Sequence, residues 1–297
     1  MKPGALKAWV QASRPQFFVA TLIPLILGGV LAANDGVWDT WRWLAVLLAS
    51  FLVHMNTNLA NDYFEYFSGA DEGDSIGGSR VLQEGKITLT QIRNFMIVGY
   101  GIACILGVWI LLESQAWWLA GVMMFAFLSS IYYTARPVRY GYHGLGELFV
   151  GINMGPVMVV GTYTALTGNF SPSSLLLSIP IGLMVALILY YQSLPDIETD
   201  RSIGKNTLAV RLGGAGSIWG YRVFVAATYI SIALLILHND LHYAAAAVVV
   251  TLPPAVLADK MIRNTADRVE LHGRGGKVRL FYFLNGLIIV LAASIFD

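Results

Sequence analysis

The sequence predicts an all-α protein that crosses a lipid bilayer many times, and three observations carry that expectation. First, 56% of its 297 residues are hydrophobic and only 12% are charged. Counted with glycine and without tyrosine, the apolar share is about 61%, against roughly 45–50% in soluble domains, and the charged share is about half the usual ~25%. Mean hydropathy is +0.63. So few charges cannot cover the surface of a water-soluble body of this size. The composition therefore excludes a soluble enzyme, a disordered chain and a nucleic-acid binder. Second, the apolar residues gather into runs of about 20, the length that spans a bilayer. Third, the basic residues sort to one side of those runs.

Nine runs read as spans, at about 17–33, 43–67, 92–112, 116–135, 146–168, 174–195, 216–236, 242–262 and 278–296. Together they would use ~180 positions and leave ~117 for loops. The first is long enough to cross a membrane and lacks a clean cleavage signature, so it is expected to remain as a span. The third and fourth are separated only by Glu113-Ser114-Gln115 and should form a tight hairpin. Pro24, Pro156, Pro180 and the Pro253-Pro254 pair fall inside spans, where neighbouring helices can satisfy the freed backbone groups. The single cysteine, Cys104, excludes a disulfide framework and a Cys-based metal site.

With a cytoplasmic N-terminus, 18 of the 19 basic residues lie in inside loops or the helix ends beside them, and only Arg42 falls outside. A wrong span count would scramble this asymmetry. The expected protein is an integral protein of the cytoplasmic membrane, with its C-terminus outside.

The acids are unevenly placed. Ten of the 18 lie in or beside two inside loops: Asp62, Glu65, Asp71, Glu72, Asp74, Glu84, Glu147, Asp196, Glu198 and Asp200. Asn58, Asp62 and Glu65 are spaced i, i+4, i+7 on one helix face, and Asp196 and Asp200 are spaced i, i+4. Like charges so spaced repel, so each row is expected to cost stability without a cation. Hard oxygen donors with no Cys or His cluster suit Mg²⁺, which takes one or two carboxylates plus substrate phosphates. Solvated helix ends also carry acids, but two such rows follow the apolar stretches Leu52–Leu59 and Leu187–Leu194, near membrane depth, where carboxylates are expensive.

The two loops look like copies. Asp74-Ser-Ile-Gly-Gly-Ser-Arg80 follows the first row and Arg201-Ser-Ile-Gly-Lys205 follows the second. Asp62 and Asp196 are 134 residues apart, about four spans. Two four-helix pseudo-repeats plus one helix, arranged around a central cavity, fit this spacing. Arg80, Lys86, Arg136, Arg139 and Lys205 lie in inside loops beside the acids, and Arg or Lys beside Mg²⁺ is how proteins hold diphosphates. Arg136, at a helix end after Tyr132-Tyr133-Thr134, and Lys205, in a glycine turn after Asp200, stand out from the general positive-inside bias.

At these residues the chain resembles the UbiA superfamily of intramembrane aromatic prenyltransferases. Its first motif resembles Asn61-Asp62-Tyr-Phe-Glu65 with a closing acid at Asp71, and its second resembles Asp196-Ile-Glu-Thr-Asp200. Within the superfamily the chain is most similar to the 1,4-dihydroxy-2-naphthoate prenyltransferases of menaquinone synthesis. That likeness is carried by Asn58-Leu-Ala-Asn61-Asp62-Tyr63-Phe64, Tyr142-His143-Gly144-Leu145-Gly146-Glu147-Leu148, Gly161-Thr162-Tyr163, and the stretch from Asp196 through Lys205 to Arg211-Leu-Gly. It departs at Glu65, where Asp is usual, and at Asp71, six residues on rather than four.

The resemblance implies one transmembrane domain over 1–297. Its cavity would take a polyprenyl diphosphate and a dihydroxynaphthoate or similar aromatic acid, and would open to the cytoplasm and to membrane lipid. It implies two Mg²⁺ ions held among Asn58, Asp62, Glu65, Asp196 and Asp200, with Asn61, Arg80, Lys86, Arg136 and Lys205 around the diphosphate. Glu65 or Asp71 would take the ring proton. Asn153 and Thr162 on the fifth span, and Tyr190, Tyr191 and Gln192 one turn before Asp196, are candidate lining residues. The alternatives are packing or capping for Asn153 and Thr162, and the interfacial aromatic belt for the tyrosines. His54 and His143 read as interior or interface histidines. A prenyltransferase for 4-hydroxybenzoate or another phenol is the nearest alternative. A transporter is a second, although these acids lie at one face rather than at mid-depth. A scaffold is a third, but it gives two repelling acid rows no purpose.

Overall fold

The computed structural model describes residues 5–69, 76–265 and 267–295, and these form helices joined by short loops. Thirteen α-helices follow one another: α1 Ala5–Ser13, α2 Val19–Asn34, α3 Thr40–Ser68, α4 Leu89–Ser114, α5 Leu119–Tyr132, α6 Gly146–Ile152, α7 Met158–Thr167, α8 Pro172–Ser193, α9 Ile197–Ser202, α10 Leu208–Leu237, α11 Leu252–Asn264, α12 Arg268–Gly273 and α13 Gly276–Ser294.

Local chemistry sets the ends. Asp39 caps α3 by accepting the Arg42 N–H, and Thr88 with Gln91 forms a capping box on α4. Ser171 caps α8 ahead of Pro172 in its first turn. Helix α3 stops at Gly69, whose φ of 69° only glycine adopts without cost.

Each expected run contains a helix, but not every helix is long enough to span. Among the described residues, seven segments have the length and apolarity to cross a membrane. An eighth arises if the segment Leu6–Phe17 and α2, bent by 54° to one another, count as one. The expected fourth span is only the 14-residue α5, shorter than the ~20 residues a bilayer needs. The fifth holds together across Pro156 because residues Asn153–Val157 form a π turn between α6 and α7. There the backbone passes close to α8, and a Cβ on Gly155 would sit 2.7 Å from the Gly182 Cα. The amphipathic α1 and the short α9 and α12 were not among the expected spans.

Helix α8 is the axis of the bundle. Leu177, Ile181, Met184, Leu187 and Tyr190 on it are almost wholly buried, packed by α6, α10 and α13. On α4 the balance reverses, with Ile97, Val98, Ile105 and Leu112 all exposed. An apolar outer face of this kind suits lipid contact. Helices α3 and α4 are keyed by Asn56, which donates to the Met96 carbonyl at 3.1 Å over Gly99.

Candidate active site

A cavity of about 1020 Å³ opens among α2, α3, α5, α7, α8 and α13. Most of its wall is apolar, including Val46, Val53, Met123, Phe127, Met154 and Val185. One end is polar, and the last turns of α3 and the short α9 that follows α8 deliver the two acid rows there.

The two rows are joined reciprocally. The Ile76 N–H, from the loop after the first row, donates to Asp196 Oδ1 at 3.0 Å. Lys205, from the loop after the second row, donates to Glu65 Oε1 at 3.1 Å and lies 3.5 Å from Asp200 Oδ1. Tyr142 adds its hydroxyl to Glu65 at 3.4 Å, with its ring 5.4 Å from the Lys205 ammonium.

The expected repulsion between bare acids is not what the structure contains. Each row is neutralised by cations. Asp62 pairs with Arg14, and the Ser79 hydroxyl and backbone N–H also donate to it. Asp196 accepts from Arg268 at 3.2 Å and from Thr199 at 3.3 Å. Sequence reasoning left Arg14 and Arg268 within the general basic bias, because neither is near an acid row in sequence. Only folding over α1 and α12 brings them in.

The electrostatics follow from this closeness. Burial pushes the Asp200 carboxyl up to about 6, with Lys205 opposing the shift and Asp196 and Glu65 adding to it. Burial alone would lower Lys205, but Glu65 and Asp200 hold its ammonium well above its ordinary value. The Tyr142 phenol is pushed up by burial and by Glu65.

Of the expected site residues, Asn58, Asn61, Glu65, Asn153, Gln192, Asp196, Asp200 and Lys205 line the cavity. Asn58 donates to the Ser13 carbonyl at 3.1 Å, and Asn61 accepts from Thr134 at 3.3 Å. Asp62 is not in the lining; Arg14 and Ser79, which hold its oxygens, are. Four expected residues are elsewhere. Tyr190 is turned into the core and donates to the Ser217 carbonyl at 2.7 Å, because its ring fills the gap over Gly220. Arg136 is exposed. Lys86 pairs with Glu84 and Gln11 at the surface. Arg80 is half-buried in the turn before α4, outside the lining. Asp71 lies outside the described residues. His54 is interior, with Nδ1 2.6 Å from the Thr21 hydroxyl.

The donor set fits a hard divalent cation. Asn58, Glu65, Asp196 and Asp200 offer only oxygens as acceptors to the cavity, and all are buried. Among the described residues no three acidic or imidazole side chains converge on one point.

The profile of the UbiA prenyltransferase family matches residues 21–271. The chain belongs to this family. It is 34% identical over 228 residues to the 1,4-dihydroxy-2-naphthoate octaprenyltransferase of Bacillus subtilis, covering 76% of this chain and 73% of that one. It is 32% identical over 213 residues to the enzyme of the same name from Escherichia coli, covering 70% and 69%. Among solved structures, a UbiA homolog from Aeropyrum pernix K1 superposes with a TM-score of 0.66 at 20% identity, over 92% of this chain and 96% of that one. One from Archaeoglobus fulgidus bound to GPP and Mg²⁺ gives 0.65 at 13%, over 96% and 99%. These two likenesses establish the UbiA fold.

Proposed function

We propose that this protein transfers a polyprenyl group from an allylic polyprenyl diphosphate to 1,4-dihydroxy-2-naphthoate, releasing CO₂ and diphosphate, as a step of menaquinone biosynthesis. The observation that carries the reading is one cavity with two characters. Its long apolar wall suits a polyprenyl tail, and its polar end joins two oxygen-rich motifs. The names of the Bacillus subtilis and Escherichia coli relatives support dihydroxynaphthoate over 4-hydroxybenzoate as acceptor.

Asn58, Glu65, Asp196 and Asp200, with Asp62 once Arg14 leaves it, would hold Mg²⁺, and two rows suggest two ions. Bound there, Mg²⁺ neutralises the diphosphate and makes it a better leaving group. Lys205 and Arg14 are the chain's own contribution to the same task. Each is paired with a motif acid, and each gains a phosphate oxygen as partner when that acid turns to metal. Glu65, lining the cavity, is the acid best placed to take an acceptor hydroxyl proton as the ring attacks and to return it once CO₂ has left. The apolar wall excludes water from an allylic cation. A transporter reading finds no support in the family match.

The basic asymmetry supports an active site facing the cytoplasm, with the whole chain acting as one transmembrane unit. A cysteine placed at Ser202 should then be labelled only after the inner face is opened. Chelation tests the chemistry: EDTA should abolish prenyl transfer and Mg²⁺ should restore it. Activity that persists after thorough chelation contradicts the two-motif mechanism.

A further inference from the structure

Among the described residues, three arginine or lysine residues line the cavity: Arg14, Lys205 and Arg279. Arg14 and Lys205 are paired with motif acids. The Arg279 side chain makes no hydrogen bond or ion pair with any described residue; its guanidinium carbon lies 5.4 Å from the centre of the Phe17 ring. It is half-buried in the first turn of α13. Two effects make that position costly for a lone cation. A half-buried guanidinium has given up part of its hydration without a charged partner in return. The first turn of a helix carries the positive end of its dipole, which repels a further positive charge. Both effects turn favourable when an anion binds.

The surroundings say which anion. Gln16 and Phe17 come from the break between α1 and α2, Tyr191 and Gln192 from the end of α8, and His272 from α12; all line the cavity with Arg279. Phe17 and Tyr191 supply aromatic surface, and the two glutamines supply amide donors. The Tyr191 hydroxyl is already committed to the Leu271 carbonyl at 2.7 Å, which fixes its ring. A guanidinium forks onto a carboxylate through two parallel hydrogen bonds. A flat ring carrying that carboxylate would lie against the aromatic side chains. The diphosphate is already served by Arg14, Lys205 and the metal ions, and its prenyl tail is uncharged.

Resting on the reading of this protein as an aryl-acid prenyltransferase, we propose that Arg279 binds the carboxylate of the aromatic acceptor, in a subsite completed by Gln16, Phe17, Tyr191 and Gln192. The subsite lies one turn of α8 before Asp196, so the ring is held beside the motif end of the cavity.

The test compares wild type with Arg279→Gln and Arg279→Lys. Loss of one charge-assisted pair corresponds to at least about tenfold in affinity. In Arg279→Gln the KM for dihydroxynaphthoate should rise by that factor, while the KM for the prenyl diphosphate stays within about twofold. Binding without turnover, read as ligand-induced thermal stabilisation, should weaken equally for dihydroxynaphthoate. It should not change for 1,4-dihydroxynaphthalene, which lacks the carboxylate. Arg279→Lys should recover part of the loss, which also guards against a folding defect in the glutamine variant. A rise in the prenyl diphosphate KM instead would assign Arg279 to the diphosphate and overturn the proposal, as would equal weakening for both naphthalenes. Failure of the wild type to prenylate dihydroxynaphthoate would refute the underlying function, separately from the role of Arg279.

Discussion

Lys205 reaches Glu65 across 140 residues of sequence, placing its ammonium 3.1 Å from the Glu65 carboxylate and 3.5 Å from Asp200. One side chain thereby ties the end of α3 to the turn after α9. It also explains a departure in the first motif. Glutamate is one methylene longer than the usual aspartate, and its carboxylate meets both Lys205 and the Tyr142 hydroxyl. The polar end of the cavity is therefore a set of closed ion pairs rather than a row of bare acids.

Removing Lys205 should show this. In Lys205→Met, Glu65 and Asp200 lose their buried counter-ion, and breaking such a pair from one side costs on the order of 3 kcal/mol. The purified variant should melt well below wild type without metal at pH 8. Saturating Mg²⁺ should recover much of the difference, because the ion replaces the missing charge. A variant as stable as wild type in EDTA would show that the pair does not balance the acids.

On the proposed metal assignment, Asp200 should make metal binding sensitive to pH. Its carboxyl is raised to about 6, so it takes up a proton as pH falls through that value. Because the folded carboxyl holds its proton more tightly than an unfolded one, this group's contribution to metal-free stability falls as pH rises towards 6. Mg²⁺ needs the ionised form and competes with that proton. The Mg²⁺ concentration for half-maximal binding should rise as pH drops below 6, approaching about tenfold per unit. In Asp200→Asn this dependence should flatten. An Asp200→Asn profile identical to wild type would assign the titration to another group.

The motif acids should outrank the loop acids. Asp62→Asn and Asp196→Asn should each cut turnover by at least ~100-fold, about 3 kcal/mol of transition-state stabilisation, against less than ~10-fold for Glu72→Ala or Asp74→Ala. Asparagine is the better replacement, because Asp62→Ala would strand Arg14 and the Ser79 hydroxyl, both of which now donate to Asp62. Relief of repulsion, expected from the sequence, does not operate where each acid already has a cation. Glu72→Ala as damaging as Asp62→Asn would move the metal site into the loop.

Tyr190 offers a contrast. Its hydroxyl serves only the Ser217 carbonyl in the packing between α8 and α10. Tyr190→Phe should lower stability by about 1 kcal/mol and leave both KM values unchanged. A substrate-specific KM shift would put the phenol back in the cavity.

The sequence made the span positions, the two acid rows and Lys205 legible, because hydropathy, charge asymmetry and i, i+4 spacing are local signals. It misplaced residues whose role depends on rotation or on remote partners. Tyr190 and Tyr191 are adjacent, yet one packs against Gly220 and the other faces the cavity, and adjacency alone does not separate them. Arg136 follows α5 as expected but is exposed and outside the cavity lining. Arg14, Arg268 and Arg279 were hidden because a basic residue beside an inside loop is what membrane insertion alone requires. The apolar run at 116–135 continues past both ends of α5, so hydropathy alone does not mark where its helix, Leu119–Tyr132, begins and stops.

The central claim is the acceptor. Purified protein should be incubated with Mg²⁺, farnesyl or a longer polyprenyl diphosphate, and an equal mixture of 1,4-dihydroxy-2-naphthoate and 4-hydroxybenzoate, and the lipid-soluble products weighed by mass spectrometry. The account predicts a prenylated naphthalene product that has gained the prenyl group and lost the mass of CO₂. A prenylated hydroxybenzoate as the main product, or a prenylated naphthoate that keeps its carboxyl group, would contradict it.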